Sequence, residues 1–313
     1  MDLGYFLSCE EYGPTDLLDQ ARRAQDAGFT SLWISDPFHP WNDGQGQSPF
    51  VWSMIGALSQ VCDLPIMTAV TCPTVRIHPV LVAQAAATSA LLTGGRFTLG
   101  VGSGEALNEH VVGTGWPSAD VRLGMLAEAV EVIRALWTGA VVEHRGRYFT
   151  VEHARLYSLP AESPPIYVSG FGTKAVDLAA RIGEGLAAVA PDGDAVARFK
   201  DATRGKPAVA GMKSCWAADT DEALRIAYRL WPNEGLPGEL SQVLPTPEHF
   251  MQASTLVRPE QVKMPHGPDP QPYLDAVDGY AKASYDTLHV AAVGPHCREL
   301  IDLYAHEIIP HLR

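Results

Sequence analysis

The chain has 313 residues and a formal charge of -13, and nowhere concentrates the Lys and Arg that a phosphate backbone requires, so nucleic acid is excluded as a partner. A hydrophobic share of 46% with 19% charged residues belongs to a chain with a real core, not to a disordered or coiled-coil one. No run reaches the roughly 18 apolar residues of a membrane span, so no membrane partner is expected.

Five cysteines, Cys9, Cys62, Cys72, Cys215 and Cys297, are scattered without a CxxC pair. They read as reduced thiols and offer no metal framework. MDLGYFLSCEEYG lacks the basic-then-apolar pattern of a signal peptide. A soluble cytoplasmic protein is expected.

Taken in chain order, apolar runs alternate with amphipathic stretches. LGYFLS (3–8) is followed by a helix over 14–28, with Gly28 as its C-cap, then SLWIS (31–35) and IMTAVT (66–71). A helix over 78–92, with Val80, Ala83, Gln84 and Ala87 on one face, leads to RFTLGVG (96–102) and a helix over 121–137. PIYVSG (165–170), a helix over 173–183, EGLAAVA (184–190), GMKSCWAA (211–218) and TLHVAAVG (287–294) complete the series. Near-continuous apolarity marks parallel strands covered on both faces. Eight of them alternating with helices predict a (β/α)8 TIM barrel, one domain over 1–313. Residues 231–272, rich in Pro and Gly and too long for an ordinary connection, form an insertion before the last strand, read as a lid or binding region.

Barrel active sites lie at the C-terminal strand ends. There the second strand is followed by SDPFHPW with Asp36, Pro37, His39 and Trp41, the third by TCPT with Arg76 and His78 beyond it, the fourth by GSGEALNEH, and the fifth by SGFGTK at a helix start. Each has a structural reading as well: Asp36 as a turn cap, His39 as a loop histidine, His78 as a helix-entry residue, and the Gly-Ser-Gly turn as a plain connection. All fall on one face of the barrel, which favours a site.

These segments, together with the helix ending ALW before TG and PIYVSGFG, resemble the deazaflavin (F420)-dependent branch of the luciferase-like oxidoreductases, in particular its glucose-6-phosphate dehydrogenase group. The resemblance runs over nearly the whole length. It implies a luciferase-like barrel, a homodimer, and coenzyme F420 lodged against Asp36, Ala69, Val70, Cys72, Gly104, Glu105, Asn108, Ser169, Gly170 and Gly172. It also implies a non-prolyl cis peptide in the third strand, matching Ala69 to Val70. By the same resemblance Trp41 stabilises the reacting substrate and Glu105 is the acid or base at the ring, with a pKa raised by an apolar neighbour.

Two departures stand out. The family's base, a histidine, is replaced by Pro37, which leaves His39 or Asp36 as candidate base, or a reaction in the reductive direction. Where the group holds a sugar phosphate with cations, this chain carries Asp192, Ser241 and only Lys263 nearby. An acid repels a phosphate dianion, so a non-phosphorylated hydroxyl or carbonyl substrate is expected. The other readings are an FMN-dependent monooxygenase and a non-catalytic coenzyme-binding protein.

Overall fold

The structure, a computed structural model, describes residues 1–312. In chain order the strands are β1 (Asp2–Leu7), β2 (Leu32–Ile34), β3 (Ile66–Thr68), β4 (Phe97–Val101), β5 (Val142–Arg145), β6 (Thr150–Ala154), β7 (Ile166–Ser169), β8 (Gly185–Ala188), β9 (Ala208–Ser214) and β10 (Thr287–Ala292). Eight of them close into a parallel barrel in the order β1-β10-β9-β8-β7-β4-β3-β2, as the alternation predicts. All eight expected strands are present, with ends shifted by a few residues where apolar sequence runs on into a loop.

Strand alternation sets the two barrel layers. Leu3, Tyr5 and Leu7 of β1 lie buried under the helices, while Gly4 and Phe6 face the lumen. A Cβ on Gly211 would stand 2.7 Å from Trp33, and one on Gly4 would stand 2.2 Å from His289. Bare backbone is therefore required where these rings fill the lumen floor. Trp33 and His289 stack at 4.5 Å, and burial pushes the His289 pKa down to about 3, so the floor is neutral. A filled floor leaves the strand C-terminal ends as the place for a ligand.

Gly28 closes the helix Pro14–Ala27 in the left-handed conformation, φ 93°, which glycine adopts without strain. The helix Pro79–Leu92 buries Val82, Ala83, Ala86, Ala87 and Ala90, whereas Gln84 is exposed and Val80 only partly covered. The expected face was thus rotated. An alanine-rich helix has little apolar contrast of its own, and its buried side is decided by the neighbouring helix Ala119–Trp137, whose Trp137 Nε1 donates to Ala83 O at 2.9 Å.

The antiparallel pair β5–β6 was not expected. Its turn is built on Glu128, which accepts from the backbone N–H of Arg147, Tyr148 and Phe149 and from the His144 ring. The signal was the alternating VVEHRGRYFTVEH around an Arg-Gly turn.

Residues 231–270 lie before the helix Gln271–Lys282 and β10, and contain four short helical pieces: Pro232–Gly235, Leu240–Val243, Pro247–Ser254 and Pro259–Gln261. Three of the four begin with proline, whose missing N–H is harmless at a first helical position. The segment packs against the loop after β2. Asn42 Nδ2 and Gln45 Nε2 both donate to Leu230 O at 2.8 Å, and Trp41 meets Phe250 edge-on at 5.1 Å.

Candidate active site

Three strand ends are joined by one hydrogen-bonded chain. Asn108 Oδ1 accepts from the backbone N–H of Phe38 at 2.7 Å and of His39 at 2.8 Å, and its Nδ2 donates to Glu105 Oε1 at 2.6 Å. The rim after β2 is thereby held to the helix Ala106–Glu109 after β4. Arg76, beyond β3, sits between them. Its Nη2 donates to Asp36 O at 2.8 Å and lies 3.1 Å from Asp36 Oδ1, while its Nε is 3.5 Å from Glu109 Oε1. Glu109 also accepts from the backbone N–H of Arg76 at 2.8 Å and Val75 at 3.3 Å, and Asp36 Oδ2 accepts from Thr71 Oγ1 at 2.8 Å.

Burial dominates the electrostatics. It raises the pKa of Asp36 despite the opposing pull of Arg76 and the Thr71 hydroxyl, and raises that of Glu105 against the Asn108 amide and Arg76. Glu109 is pushed up to about 7, chiefly by burial, with its bonds to Arg76 working the other way. A single guanidinium shared by several enclosed carboxyls cannot offset all of their desolvation. The expected rise for Glu105 is present, and its cause here is the protein's own packing.

Pro37 is buried and has no proton to offer. His39, half-buried, has Nδ1 at 3.1 Å from Leu107 O. A carbonyl only accepts, so Nδ1 carries the hydrogen, and in the neutral ring Nε2 is the nitrogen with the lone pair. Asp36 is committed to Arg76 and Thr71 and is not a turn cap. His78 is the helix-entry residue it was read as, its Nδ1 accepting from Val80 N at 3.2 Å. Trp41 is half-buried, its backbone N–H donating to Gln45 Oε1 at 2.8 Å.

The other expected ligand residues gather around Gly102. A Cβ there would stand 2.6 Å from Val70 Cγ2, 3.6 Å from Cys72 Sγ and 3.7 Å from Ser169 Cβ. The Ala69–Val70 peptide is cis. Burial pushes the Cys72 thiol well up, so it is a neutral wall residue. Gly104, φ 85°, and Gly170, whose Cβ would stand 3.1 Å from Val176 N, are glycines for reasons of chain geometry and packing. Gly172 has open space around it at the start of the helix Thr173–Ile182, whose first turn receives no side-chain cap.

Sequence reading did not single out a second charged group across the mouth. Glu11 accepts from Gly294 N at 2.8 Å and from the Trp231 indole, and burial pushes its pKa up to about 7. Lys213 lies 4.1 Å from the centre of the Trp231 ring and 2.8 Å from Glu234. Asp192, in the position read as replacing a phosphate-binding cation, caps the helix Gly193–Thr203, its Oδ1 accepting from Ala195 N at 3.0 Å. Ser241 is half-buried in the short helix Leu240–Val243, and Lys263 is exposed.

Barrel strand ends that carry a carboxyl with a raised pKa and a histidine tied through one ring nitrogen are the kind of site in which oxidoreductases move protons. The chain belongs to the luciferase-like monooxygenase family, whose model matches residues 1–287. An F420-dependent glucose-6-phosphate dehydrogenase of Nakamurella multipartita is 32% identical over 99% of this chain and 96% of its own length. The enzyme of the same name from Rhodococcus erythropolis is also 32% identical, over 100% of this chain and 98% of its own. Among solved structures, an F420-dependent secondary alcohol dehydrogenase in complex with an F420-acetone adduct superposes with a TM-score of 0.92 at 32% identity, covering 100% and 99% of the two chains. The F420-dependent tetrahydromethanopterin reductase of Methanopyrus kandleri, at 18% identity and TM-score 0.80 with both chains fully covered, shares the fold.

Proposed function

We propose that this chain is an F420-dependent oxidoreductase that moves a hydride between the deazaflavin and an uncharged secondary alcohol or its ketone. The observation that carries the reading is the link from Glu105 through the Asn108 amide to the His39 backbone N–H, which holds a carboxyl of raised pKa and a histidine whose ring Nδ1 is tied to Leu107 O at the same strand ends. The residues present suit the coenzyme. Thr74 Oγ1, beyond the third strand, is buried without a hydrogen-bond partner, and Gly172 leaves room at a helix start. Asp36, Val70, Cys72, Asn108, Ser169 and Gly172 would hold it. The coenzyme, when bound, supplies the hydride acceptor or donor.

The protein's own part is proton handling and position. In the oxidative direction the carbinol C–H leaves as hydride, and His39 Nε2 takes the hydroxyl proton that Pro37 cannot. In the reductive direction the same nitrogen, protonated, returns it. Glu105, its pKa raised by burial, would hold or release a proton beside the bound coenzyme, and Trp41, braced by Phe250, would cover the reacting carbon. Asp192, a helix cap with its carboxylate at the β8 end, disfavours a phosphate dianion, which supports an uncharged substrate in contrast to the sugar phosphate named for the sequence relatives. The reading carries with it a homodimeric cytoplasmic enzyme, checked by light scattering and cell fractionation.

The test is a titration of the purified protein with F420, FMN and NADPH, followed by tryptophan fluorescence, then turnover with secondary alcohols, ketones and glucose 6-phosphate. F420 binding with turnover of an uncharged alcohol or ketone is expected. Quenching by FMN alone, with oxygen-dependent turnover, would establish the monooxygenase reading, and tight F420 binding with no turnover the non-catalytic one. Glu105→Gln is expected to lower kcat by about 10²–10⁴-fold with binding retained.

A further inference from the structure

Arg76, the cation of the rim, is ion-paired with two carboxylates; Arg122 is in ion-pair contact with none, its strongest charged neighbour, Glu239, standing farther off. Arg122 is 4% exposed, stands in the first turn of the helix Ala119–Trp137, and places its guanidinium 4.3 Å from the centre of the Trp116 ring. Its Nη1 donates to Pro117 O at 2.7 Å and its Nη2 to Gln242 Oε1 at 3.1 Å, both neutral acceptors. Its Nε is buried without a partner, as is Trp116 Nε1.

A cation in a helix's first turn opposes the helix dipole, and an enclosed charge with no carboxylate in ion-pair contact is unfavourable. Such an arrangement persists where a ligand completes it. The location points the same way: the Trp116 ring lies 3.3 Å from where a Cβ on Gly104 would be, and the Arg122 charge is close enough to be felt by Cys72 and Glu105. Gln242 comes from the 231–270 segment, so that segment is tied to this guanidinium.

We propose that Arg122, with the Trp116 indole N–H beside it, is the counter-charge for an anionic group of the ligand in the strand-end cleft. The inference rests on the reading that this ligand is the deazaflavin coenzyme. An oxyanion is a better acceptor for a guanidinium than the Gln242 amide and replaces it or joins it. Two parts of the coenzyme have that chemistry, the phosphate and glutamate tail and the ring in its deprotonated form.

The experiment is a calorimetric titration of the wild type, Arg122→Gln, Arg122→Lys and Trp116→Phe with oxidised F420 and with the riboflavin-level deazaflavin, which lacks the tail, alongside thermal melts. Arg122→Gln is expected to weaken F420 binding about tenfold or more, and Arg122→Lys by less. If the tail-free compound binds the wild type and Arg122→Gln equally, the partner is the tail. If it too weakens in proportion, the partner is the ring. An Arg122→Gln protein that melts like the wild type and binds both compounds with wild-type affinity overturns the inference while leaving the coenzyme reading intact. A wild type that binds neither compound ends both. Should Arg122→Gln not fold, Arg122→Lys and Trp116→Phe decide: weaker F420 binding in both supports the inference, and unchanged binding in both overturns it.

Discussion

On the β2–β4 side of the barrel mouth, Arg76 is shared by Asp36 and Glu109, with side-chain exposures of 9%, 0% and 1%. On the β9–β1 side, Lys213 pairs with Glu234 near Glu11, and the Lys213 and Glu234 side chains are 19% and 40% exposed. The two clusters use similar groups and differ in what anchors them. Glu109 and Asp36 are tied to backbone and side chains of the strand ends themselves, so the first cluster is part of the barrel frame. Glu234 and the Trp231 indole belong to the 231–270 segment, so the second joins the frame to that segment. The first sets where the reacting groups stand; the second sets how firmly the segment rests.

The largest expected effect follows from removing the shared cation of the frame. Arg76→Met leaves Asp36 and Glu109 without their counter-ion, and stability should fall by about 3–5 kcal/mol in chemical denaturation. A loss under about 1 kcal/mol would show that the acids are protonated without Arg76 and that the comparison is wrong.

The pH dependence should be intermediate. Burial pushes the Glu109 pKa up to about 7 in the folded protein from an ordinary 4.5. Folding therefore favours its protonated form. The contribution is complete below the unfolded value and is lost as pH rises through about 7. Melting temperature should fall between about pH 5 and pH 8, reflecting on the order of 1–3 kcal/mol. Glu109→Gln should flatten part of that slope; an unchanged slope would assign it elsewhere, with Glu11, also raised to about 7, the next group to test.

The smallest effect is expected on the other side. Lys213→Met breaks a partly solvated pair and should change stability by less than about 1 kcal/mol. It should instead loosen 231–270, read as faster limited proteolysis or amide exchange there. A stability loss matching that of Arg76→Met would erase the distinction between frame and segment.

Much of the site was legible because barrel geometry turns sequence position into location: whatever follows a strand lands at the mouth. Asp36, His39, Trp41, Glu105 and Asn108 were placed beyond the strand ends that way, and Asn108 links two of those ends. Arg122 was missed because it lies within a helix whose pattern marks it as one more polar position. Glu109 was hidden in the same way at the end of GEALNE. Glu11 and Lys213 meet only through β1 and β9, far apart in the chain, and no local pattern announces such a pairing.

The apolar runs and their spacing by themselves determined eight parallel strands, the barrel and the end at which ligands bind, since continuous apolarity requires cover on both faces. Tertiary structure alone decided which side of the helix Pro79–Leu92 is buried, which nitrogen of His39 is free, and which cations have counter-ions. Those properties depend on desolvation and on partners brought from distant segments, and neither is encoded in the identity of a residue or of its neighbours along the chain.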